Sequence, residues 1–363
     1  MAFSADDHKH MARALRLAER GLYTTTPNPR VGCVLVRDGT VVGEGWHERA
    51  GEAHAEIHAL NAAGAHVRGA TAYVTLEPCS HHGRTPPCAE ALVAAGVARM
   101  VAAMRDPNPQ VAGQGLAQLA AAGITVADGL LAHEARELNI GFVSRMERGR
   151  PWLRLKLAAS LDGKTALANG RSQWITGPEA RRDGHAWRAR ACAILTGAGT
   201  VRDDDPRLTV RDVETSRQPL RVVVDSHFET PPTARILEGG NCLVAAARED
   251  EAKSAALRDA GAEVLVLPNP QGKVDLPRLL AMLAERGVNE LHVEAGHKLN
   301  GSLLREGLVD ELLLYFAPTL IGSGREMFPL PEITDLAGRR DLKMLDLRRI
   351  GSDIRILARP LPA

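Results

Sequence analysis

Stretches of strand length alternate with stretches of helix length along the whole of this 363-residue chain. Chains of this kind form a largely parallel sheet with helices packed on its faces. Antiparallel pairing is expected at the Asp38-Gly39 turn, which is typical of a β-hairpin, and between strands near the C-terminus. The sequence therefore predicts an α/β protein.

The predicted strands are residues 31–36, 41–46, 72–76, 97–103, 124–127, 153–159, 193–196, 221–224, 242–246, 264–267, 290–293 and 311–316, with antiparallel strands within 342–357. The predicted helices are one between its N-cap Ser4 and Gly21, one beginning near His54, and residues 88–95, 115–122, 132–146, 178–190, 252–259, 276–286 and 299–306. A short charged segment with Gly and Pro, residues 147–151 (ERGRP), interrupts this alternation. At roughly 150 residues per domain, a chain of this length has two or three domains. We therefore predict an N-terminal domain of residues 1–148 and a C-terminal domain of residues 149–363.

The balance of charge excludes several classes of function. The chain has 45 basic and 44 acidic residues, so it lacks the basic excess that nonspecific nucleic-acid binding requires. No apolar run approaches ~18 residues, and the N-terminus has no export signal, so we expect neither a membrane span nor secretion. Five cysteines are too few for a disulfide scaffold and fit a reducing cytoplasm. The expected partner is a small molecule.

The strongest chemical signal is a set of potential zinc ligands. His54 and Glu56 form a His-Ala-Glu motif, and Cys79 follows a proline, with Cys88 nine positions later. One imidazole and two thiolates suit zinc and leave a fourth tetrahedral position for water, whose pKa the metal lowers. Glu56 is close enough to exchange a proton with that water without being a ligand. His-x-Glu with Pro-Cys is the pattern of zinc nucleobase deaminases, although Cys-x-x-Cys usually completes it.

Other interpretations of the same residues stay open at this stage. His81 or His82 could occupy the fourth position and close the site, which would make the zinc structural. The domain could also be a zinc-stabilised binding module without catalysis, or a deaminase of a cytidine-type nucleoside or of a tRNA adenosine. The remaining cysteines stand in apolar, strand-like runs and are interpreted as core; these are Cys33, Cys192 and Cys242.

Three segments of the first half carry a family resemblance: residues 26–33 (TPNPRVGC), 54–58 (HAEIH) and 75–88 (TLEPCSHHGRTPPC). They resemble the bifunctional deaminase–reductases of riboflavin biosynthesis, whose own variant is the long loop between the two cysteines. The resemblance implies a cytidine-deaminase-like domain with one zinc per chain, held by His54, Cys79 and Cys88, with Glu56 as the proton shuttle. It also places Asn28 at the substrate, although Asn28 could equally be a turn residue between two prolines. His81, His82 and Arg84 are implied near the substrate phosphate.

The second half has two glycine-containing junctions between a strand and a helix, at Gly197-Ala-Gly-Thr200 and at Ala295-Gly296. Such turns let backbone amides approach a phosphate, but neither is a complete dinucleotide-binding motif. The family resemblance adds to them, because residues 156–165, 172–176, 203–211 and 293–296 resemble the reductase domain of the same enzymes. That domain resembles dihydrofolate reductase and uses NADPH.

The resemblance implies a set of binding residues for each ligand. The cofactor would contact Ala158, Trp174, Thr200, Asp204, Ser226 and the loop Gly296, His297, Lys298, Leu299, Asn300, Gly301 and Ser302. The substrate would contact Ser172, Arg188, Leu208, Arg211 and Glu294. Arginine can grip a phosphate through two hydrogen bonds, and a carboxylate can bind ribose hydroxyls. A solvated helix face for Arg188 and a core position for Trp174 are the structural alternatives. Lys156, Asp204 and Glu294 are all candidates for the proton donor in the reduction.

The expected activity is a sequence of two reactions. The first removes the 2-amino group of 2,5-diamino-6-(5-phosphoribosylamino)pyrimidin-4-one by hydrolysis. The second reduces the ribosyl group of 5-amino-6-(5-phosphoribosylamino)uracil to a ribityl group with NADPH. We expect a homo-oligomer, a dimer in the simplest case.

Overall fold

A computed structural model describes residues 3–80, 87–109 and 111–361. The chain divides into two compact units, Met1–Arg150 and Pro151–Ala363. None of the described helices is long and apolar enough to cross a membrane.

The first unit is a five-stranded sheet between two layers of helices. Its elements are α1 (Ala5–Glu19), β1 (Gly32–Arg37), β2 (Thr40–Trp46), α2 (Ala55–Ala63), β3 (Thr71–Val74), α3 (Cys88–Ala95), β4 (Arg99–Ala102), α4 (Gln114–Ala121), β5 (Thr125–Asp128), α5 (Ala132–Leu138) and α6 (Ile140–Arg148). The strand order is β2-β1-β3-β4-β5, antiparallel at β2-β1-β3 and parallel beyond. Ser4 caps α1 as predicted, in a reciprocal pair of hydrogen bonds with Asp7.

Alternation along β1 divides the core of this unit between the two faces of the sheet. Cys33 and Leu35 are buried in one cluster with residues of α2, α3 and α4. Val34 and Val36 are buried in the other cluster with residues of α1, α5 and α6. Both faces of the sheet are therefore covered by helices.

The second unit is built on a nine-stranded sheet of order β11-β10-β9-β8-β12-β6-β13-β16-β15. All its neighbouring strands are parallel up to β13, and β16 and β15 add to it antiparallel. Its elements are β6 (Trp152–Ser160), β7 (Lys164–Leu167), α7 (Pro178–Arg190), β8 (Ala193–Gly197), α8 (Ala198–Asp204), β9 (Leu220–Val224), β10 (Cys242–Ala246), α9 (Glu251–Asp259), β11 (Ala262–Val266), α10 (Leu276–Glu285), β12 (Glu290–Val293), α11 (His297–Arg305), β13 (Glu311–Ala317), β14 (Gly324–Glu326), β15 (Leu342–Ile350) and β16 (Asp353–Pro360). β7 and β14 form a separate two-stranded ribbon.

Three features of the fold differ from the sequence prediction. The helix predicted over residues 132–146 is two helices, α5 and α6, divided at Asn139. The side chain of Asn139 accepts a hydrogen bond from the Arg30 amide at 2.7 Å and donates one to the Arg30 carbonyl at 2.9 Å. This long-range pair bends the chain where local helix propensity would continue it. The second difference is α8, a seven-residue helix; the sequence prediction placed a strand-to-helix junction at residues 197–200 but gave no bounds for a helix there. The third is the ribbon of β7 and β14, since neither strand was predicted.

Candidate active sites

The first candidate site begins where α2 packs closely on β2. Gly43 and Gly45 of β2 face this helix, and an added Cβ at Gly45 would lie 2.5 Å from the Ala55 carbonyl oxygen. The two glycines therefore allow the helix to approach the sheet. His54 is the N-cap residue of α2, and Glu56 lies in its first turn with 3% of its surface exposed.

The structure brings His54, Cys79 and Cys88 together. Cys79 follows β3 in the loop after Pro78, and Cys88 is the first residue of α3. Nδ1 of His54 lies 3.3 Å from the Cys88 sulfur and 3.6 Å from the Cys79 sulfur. The potential ligand atoms of the three residues all lie within 4.8 Å of one another. Two sulfurs and an imidazole nitrogen at this spacing fit a zinc ion.

The electrostatics of the group favour a thiolate at Cys79. Hydrogen bonding from Cys88 and from His54 lowers the pKa of the Cys79 thiol to about 4. The Cys88 amide also donates to the Cys79 sulfur at 3.3 Å. Burial raises the pKa of Glu56 to about 7, against the opposing effect of His54. A buried carboxyl with a raised pKa can both accept and release a proton near neutral pH.

Glu77 is a residue of this site that the sequence interpretation missed. It is buried and accepts four backbone hydrogen bonds, two on each carboxylate oxygen. The donors are the amides of Asp106, Gly113, Gly115 and Leu116, at 3.1, 2.9, 2.9 and 3.3 Å. Glu77 thereby ties the Cys79 loop to the start of α4. The signal available in the sequence was a charged residue between Leu76 and Pro78 in an otherwise apolar strand end.

Asn28 has a defined orientation in its turn. Nδ1 of His47 lies 3.1 Å from the Ala53 carbonyl oxygen, and Nε2 of His47 lies 3.1 Å from Nδ2 of Asn28. Because a carbonyl only accepts, Nδ1 carries the proton and Nε2 accepts from the Asn28 amide. The amide oxygen of Asn28 then remains for another donor. The predicted phosphate ligands His81, His82 and Arg84, and with them the alternative fourth zinc ligand, lie outside the described residues.

The second candidate site is a pocket of about 310 Å³ in the other unit. Four predicted residues line it together with Lys156: Trp174, Arg188, Arg211 and Glu294. Arg188 forms two hydrogen bonds with the Glu294 carboxylate, one of them at 2.9 Å, and the Lys156 ammonium lies 3.5 Å from the same carboxylate. Burial alone would raise the pKa of Glu294, but these two cations hold it well below its usual range.

Further residues of this pocket were not predicted from the sequence: Arg181, Gly184, His185 and Asp212. The Arg181 guanidinium lies 4.7 Å from the centre of the exposed Trp174 ring. His185 accepts a hydrogen bond from the Arg211 amide at 3.3 Å. All four belong to α7 or to the loop before β9, so only the fold brings them to Glu294.

A neighbouring pocket of about 410 Å³ contains five of the predicted cofactor residues. These are Ser226, His297, Lys298, Leu299 and Ser302. The turn between β12 and α11 therefore connects the two pockets: Glu294 lines the pocket of about 310 Å³, and His297 lines the pocket of about 410 Å³. Ligands of open α/β sheets bind at the carboxyl ends of the strands, where this turn lies.

The remaining predicted residues do not line either pocket. Ala158 lies on β6, Thr200 and Asp204 lie on α8, and the Asp204 carboxylate accepts a hydrogen bond from Gln173 at 3.5 Å. Leu208 is buried with a left-handed backbone at φ 48°. Ser172 precedes Gln173, and Gly296, Asn300 and Gly301 lie in the turn before α11 and on that helix. Thr200 is close to the turn, since a Cβ added at Gly296 would lie 3.7 Å from its hydroxyl oxygen.

Comparison with known proteins adds to this geometry. Residues 4–104 match the model of the cytidine and deoxycytidylate deaminase zinc-binding region, and residues 151–356 match the RibD C-terminal domain. The riboflavin biosynthesis protein RibD of Escherichia coli K12 is 52% identical over 362 residues, which cover 96% of this chain and 98% of that protein. The chain belongs to the RibD family. RibD of Haemophilus influenzae is 46% identical over 378 residues, covering 99% of both chains.

Solved structures of the RibD family share the fold. Acinetobacter baumannii RibD matches with a TM-score of 0.92 and 45% identity, over 98% of this chain and 99% of that chain. A diaminohydroxyphosphoribosylaminopyrimidine deaminase/5-amino-6-(5-phosphoribosylamino)uracil reductase of Thermotoga maritima matches with a TM-score of 0.85 and 33% identity, over the same shares.

These findings confirm the predicted fold class, a cytidine-deaminase-like domain followed by a reductase domain. The chain is a bifunctional enzyme of riboflavin biosynthesis that uses zinc for deamination and NADPH for reduction. A zinc-stabilised module without catalysis is not compatible with this membership.

Proposed function

We propose that the first unit deaminates 2,5-diamino-6-(5-phosphoribosylamino)pyrimidin-4-one and that the second reduces 5-amino-6-(5-phosphoribosylamino)uracil. The Thermotoga maritima relative is named as a deaminase and a reductase of these substrates. The observation that carries the proposal is that the potential ligand atoms of His54, Cys79 and Cys88 lie within 4.8 Å of one another, with the buried carboxyl of Glu56 two residues after His54.

In the deaminase, His54, Cys79 and Cys88 would hold the zinc ion. When bound in such a site, zinc lowers the pKa of water toward neutrality. Glu56 takes a proton from the attacking water and delivers it to the leaving nitrogen, which its raised pKa of about 7 favours. The amide oxygen of Asn28, directed by His47, accepts a hydrogen bond from a substrate N–H group.

The test of the deaminase is Glu56→Gln. Loss of the proton shuttle should reduce ammonia release by roughly 10²–10⁴-fold, while zinc content stays near one per chain. The matched control is Glu52→Gln, an exposed carboxylate just before the motif, which should behave as wild type. Ammonia release that persists in Glu56→Gln at the wild-type rate would refute this role.

In the reductase, the pocket around Glu294 would bind the phosphosugar. NADPH, when bound, supplies the hydride for the ribosyl C1′ carbon. Arg211 can bind the phosphate, and the ionised Glu294, held by Arg188, can accept hydrogen bonds from ribose hydroxyls. Since Glu294 is held ionised, it is a poor acid, and we assign the proton delivered to the ring oxygen to Lys156, whose ammonium lines the pocket.

We also propose that the enzyme is a cytoplasmic homodimer formed through β15. This strand lies at the edge of the nine-stranded sheet, and its exposed apolar side chains include Leu342, Met344 and Leu347 at 46, 57 and 58% exposure. A long apolar edge strand pairs readily with another chain, and a second copy presents the same edge. The five cysteines form no disulfide, which fits a reducing compartment.

A further inference from the structure

The pocket of about 410 Å³ has an excess of positive charge. Lys273, Lys298 and Arg305 line it, against one acidic residue, Glu306. The Arg305 guanidinium is engaged, because it donates to the Ser302 hydroxyl at 3.1 Å and to the Pro329 carbonyl at 3.3 Å. Among the described residues, neither lysine ammonium has a hydrogen-bond or ion-pair partner. Two exposed ammonium groups at one pocket favour an anionic ligand.

The backbone of Lys273 is held in place on both sides. The Asn269 side chain accepts hydrogen bonds from the amides of Gln271 and Lys273 at 3.0 and 2.9 Å. The next residue, Val274, donates its amide to the Ser226 hydroxyl at 3.3 Å. This hydrogen bond holds the tight turn against the segment just after β9, and the turn places Lys273 at the edge of the pocket.

Lys298 reaches the same pocket from the other side. It lies in the first turn of α11, after the turn that begins at Glu294. The positive end of the helix dipole adds to the charge of its ammonium. Lys273 and Lys298 are thus supplied by separate segments, a turn after β11 and a helix start, which converge on one space.

The arrangement of the two pockets indicates which part of the cofactor each pocket would hold. The reacting nicotinamide must adjoin the substrate pocket, and the two pockets have no lining residue in common. The pocket with the lysines would then hold the opposite, adenosine end. NADPH differs from NADH at that end by a 2′-phosphate on the ribose.

We propose that Lys273 and Lys298 bind the 2′-phosphate of NADPH and thereby determine the preference for NADPH over NADH. The inference rests on the proposed function of the second unit as the reductase. A phosphomonoester carries nearly two negative charges at neutral pH, which two ammonium groups match. The ribose hydroxyl of NADH offers no charge to either lysine.

The experiment measures binding rather than turnover. Calorimetric titration of the full-length protein with adenosine 2′,5′-bisphosphate and with 5′-AMP isolates the contribution of the 2′-phosphate. In the wild type, the bisphosphate should bind at least about tenfold more tightly than 5′-AMP, since hydrogen bonds between charged groups are stronger than those between neutral groups. Lys273→Gln and Lys298→Gln should each remove most of that difference and change the affinity for 5′-AMP by less than about twofold.

Two further variants sharpen the test. Arg278→Gln removes one exposed charge near the pocket without altering its lining, and it should leave the difference intact. Lys273→Arg keeps the charge and should retain at least part of the difference. Equal affinity of the wild type for the two nucleotides, or an unchanged difference in the double lysine variant, would overturn the proposal. Absence of binding by both nucleotides would overturn it together with the assignment of the cofactor pocket, whereas equal binding overturns only the role of the lysines.

Discussion

At the scale of single residues, Glu77 stabilises the loop that carries Cys79. A carboxylate can accept two hydrogen bonds on each oxygen, and here both oxygens do so. In Glu77→Gln, one carboxylate oxygen is replaced by an amide NH2 group, which is a donor and would face two backbone N–H donors. We expect this substitution to lower the free energy of unfolding by about 3 kcal/mol and to weaken zinc retention. Urea denaturation and metal analysis would check it, with Glu52→Gln as the exposed control.

Also at the scale of residues, His185 makes stability dependent on pH. Burial, assisted by Arg188, lowers the pKa of His185 to about 4, and its neutral ring accepts the Arg211 amide. Since the unfolded chain binds the proton near pH 6.5, the stabilisation is complete above that pH and is lost as pH falls toward about 4. Asp212 opposes the shift and Arg211 adds to it.

Between about pH 7.5 and about pH 5, the wild type should lose about 1–2 kcal/mol more stability than His185→Gln. Urea denaturation of both proteins at the two pH values measures this difference. The same pH dependence in both proteins would show that another group titrates in its place.

At the scale of elements, the approach of α2 to β2 places His54 and Glu56. Gly45→Ala would put a methyl group 2.5 Å from both the Ala55 carbonyl oxygen and Cβ of His58, so the helix must move. We expect a loss of about 1–3 kcal/mol in the free energy of unfolding, with weaker zinc binding. Gly199→Ala in α8 is the control, because the atom nearest to its added Cβ would be an Arg202 side-chain nitrogen at 3.9 Å. Full zinc content and wild-type stability in Gly45→Ala would contradict this account of the helix position.

The edge strand β15 gives a second prediction at this scale. Leu347→Lys places a charge in the middle of its exposed apolar side chains and should weaken self-association by about tenfold or more. Light scattering after gel filtration should then show a mass near 38.9 kDa rather than twice that value. Leu320→Lys, at a residue 75% exposed outside this strand, is the control. A wild-type protein that is monomeric at all concentrations would contradict the dimer.

At the scale of the whole molecule, each of the two units has its own hydrophobic core. Cys88→Ser should therefore abolish zinc binding and deamination but leave NADPH oxidation with an already deaminated substrate within about twofold of wild type. Zinc analysis, ammonia release and the absorbance of NADPH would be measured on the same preparation. Loss of both activities would show that the units are not independently stable.

The local sequence was sufficient for the elements with strong periodicity or clear end signals. α3, α7, β10 and β12 have the predicted bounds, because a proline or an apolar run of the right length marks each one. The proposed zinc ligands and Glu56 were also predicted from the sequence, since His-x-Glu places an imidazole and a carboxylate within one helical turn and Pro-Cys marks a candidate thiolate. By contrast, the break at Asn139 depends on a hydrogen-bonded partner 109 residues away.

Tertiary structure decided which distant groups share a site. Arg188 and Glu294 are 106 residues apart, and the four amides on Glu77 come from 29 to 39 residues further along the chain. Lys273 had no local motif, yet the turn after β11 brings it to the same pocket as α11. The sequence determines which chemical groups the chain has. Which of those groups lie together depends on the order of the strands in the sheet and on where the parallel strands end.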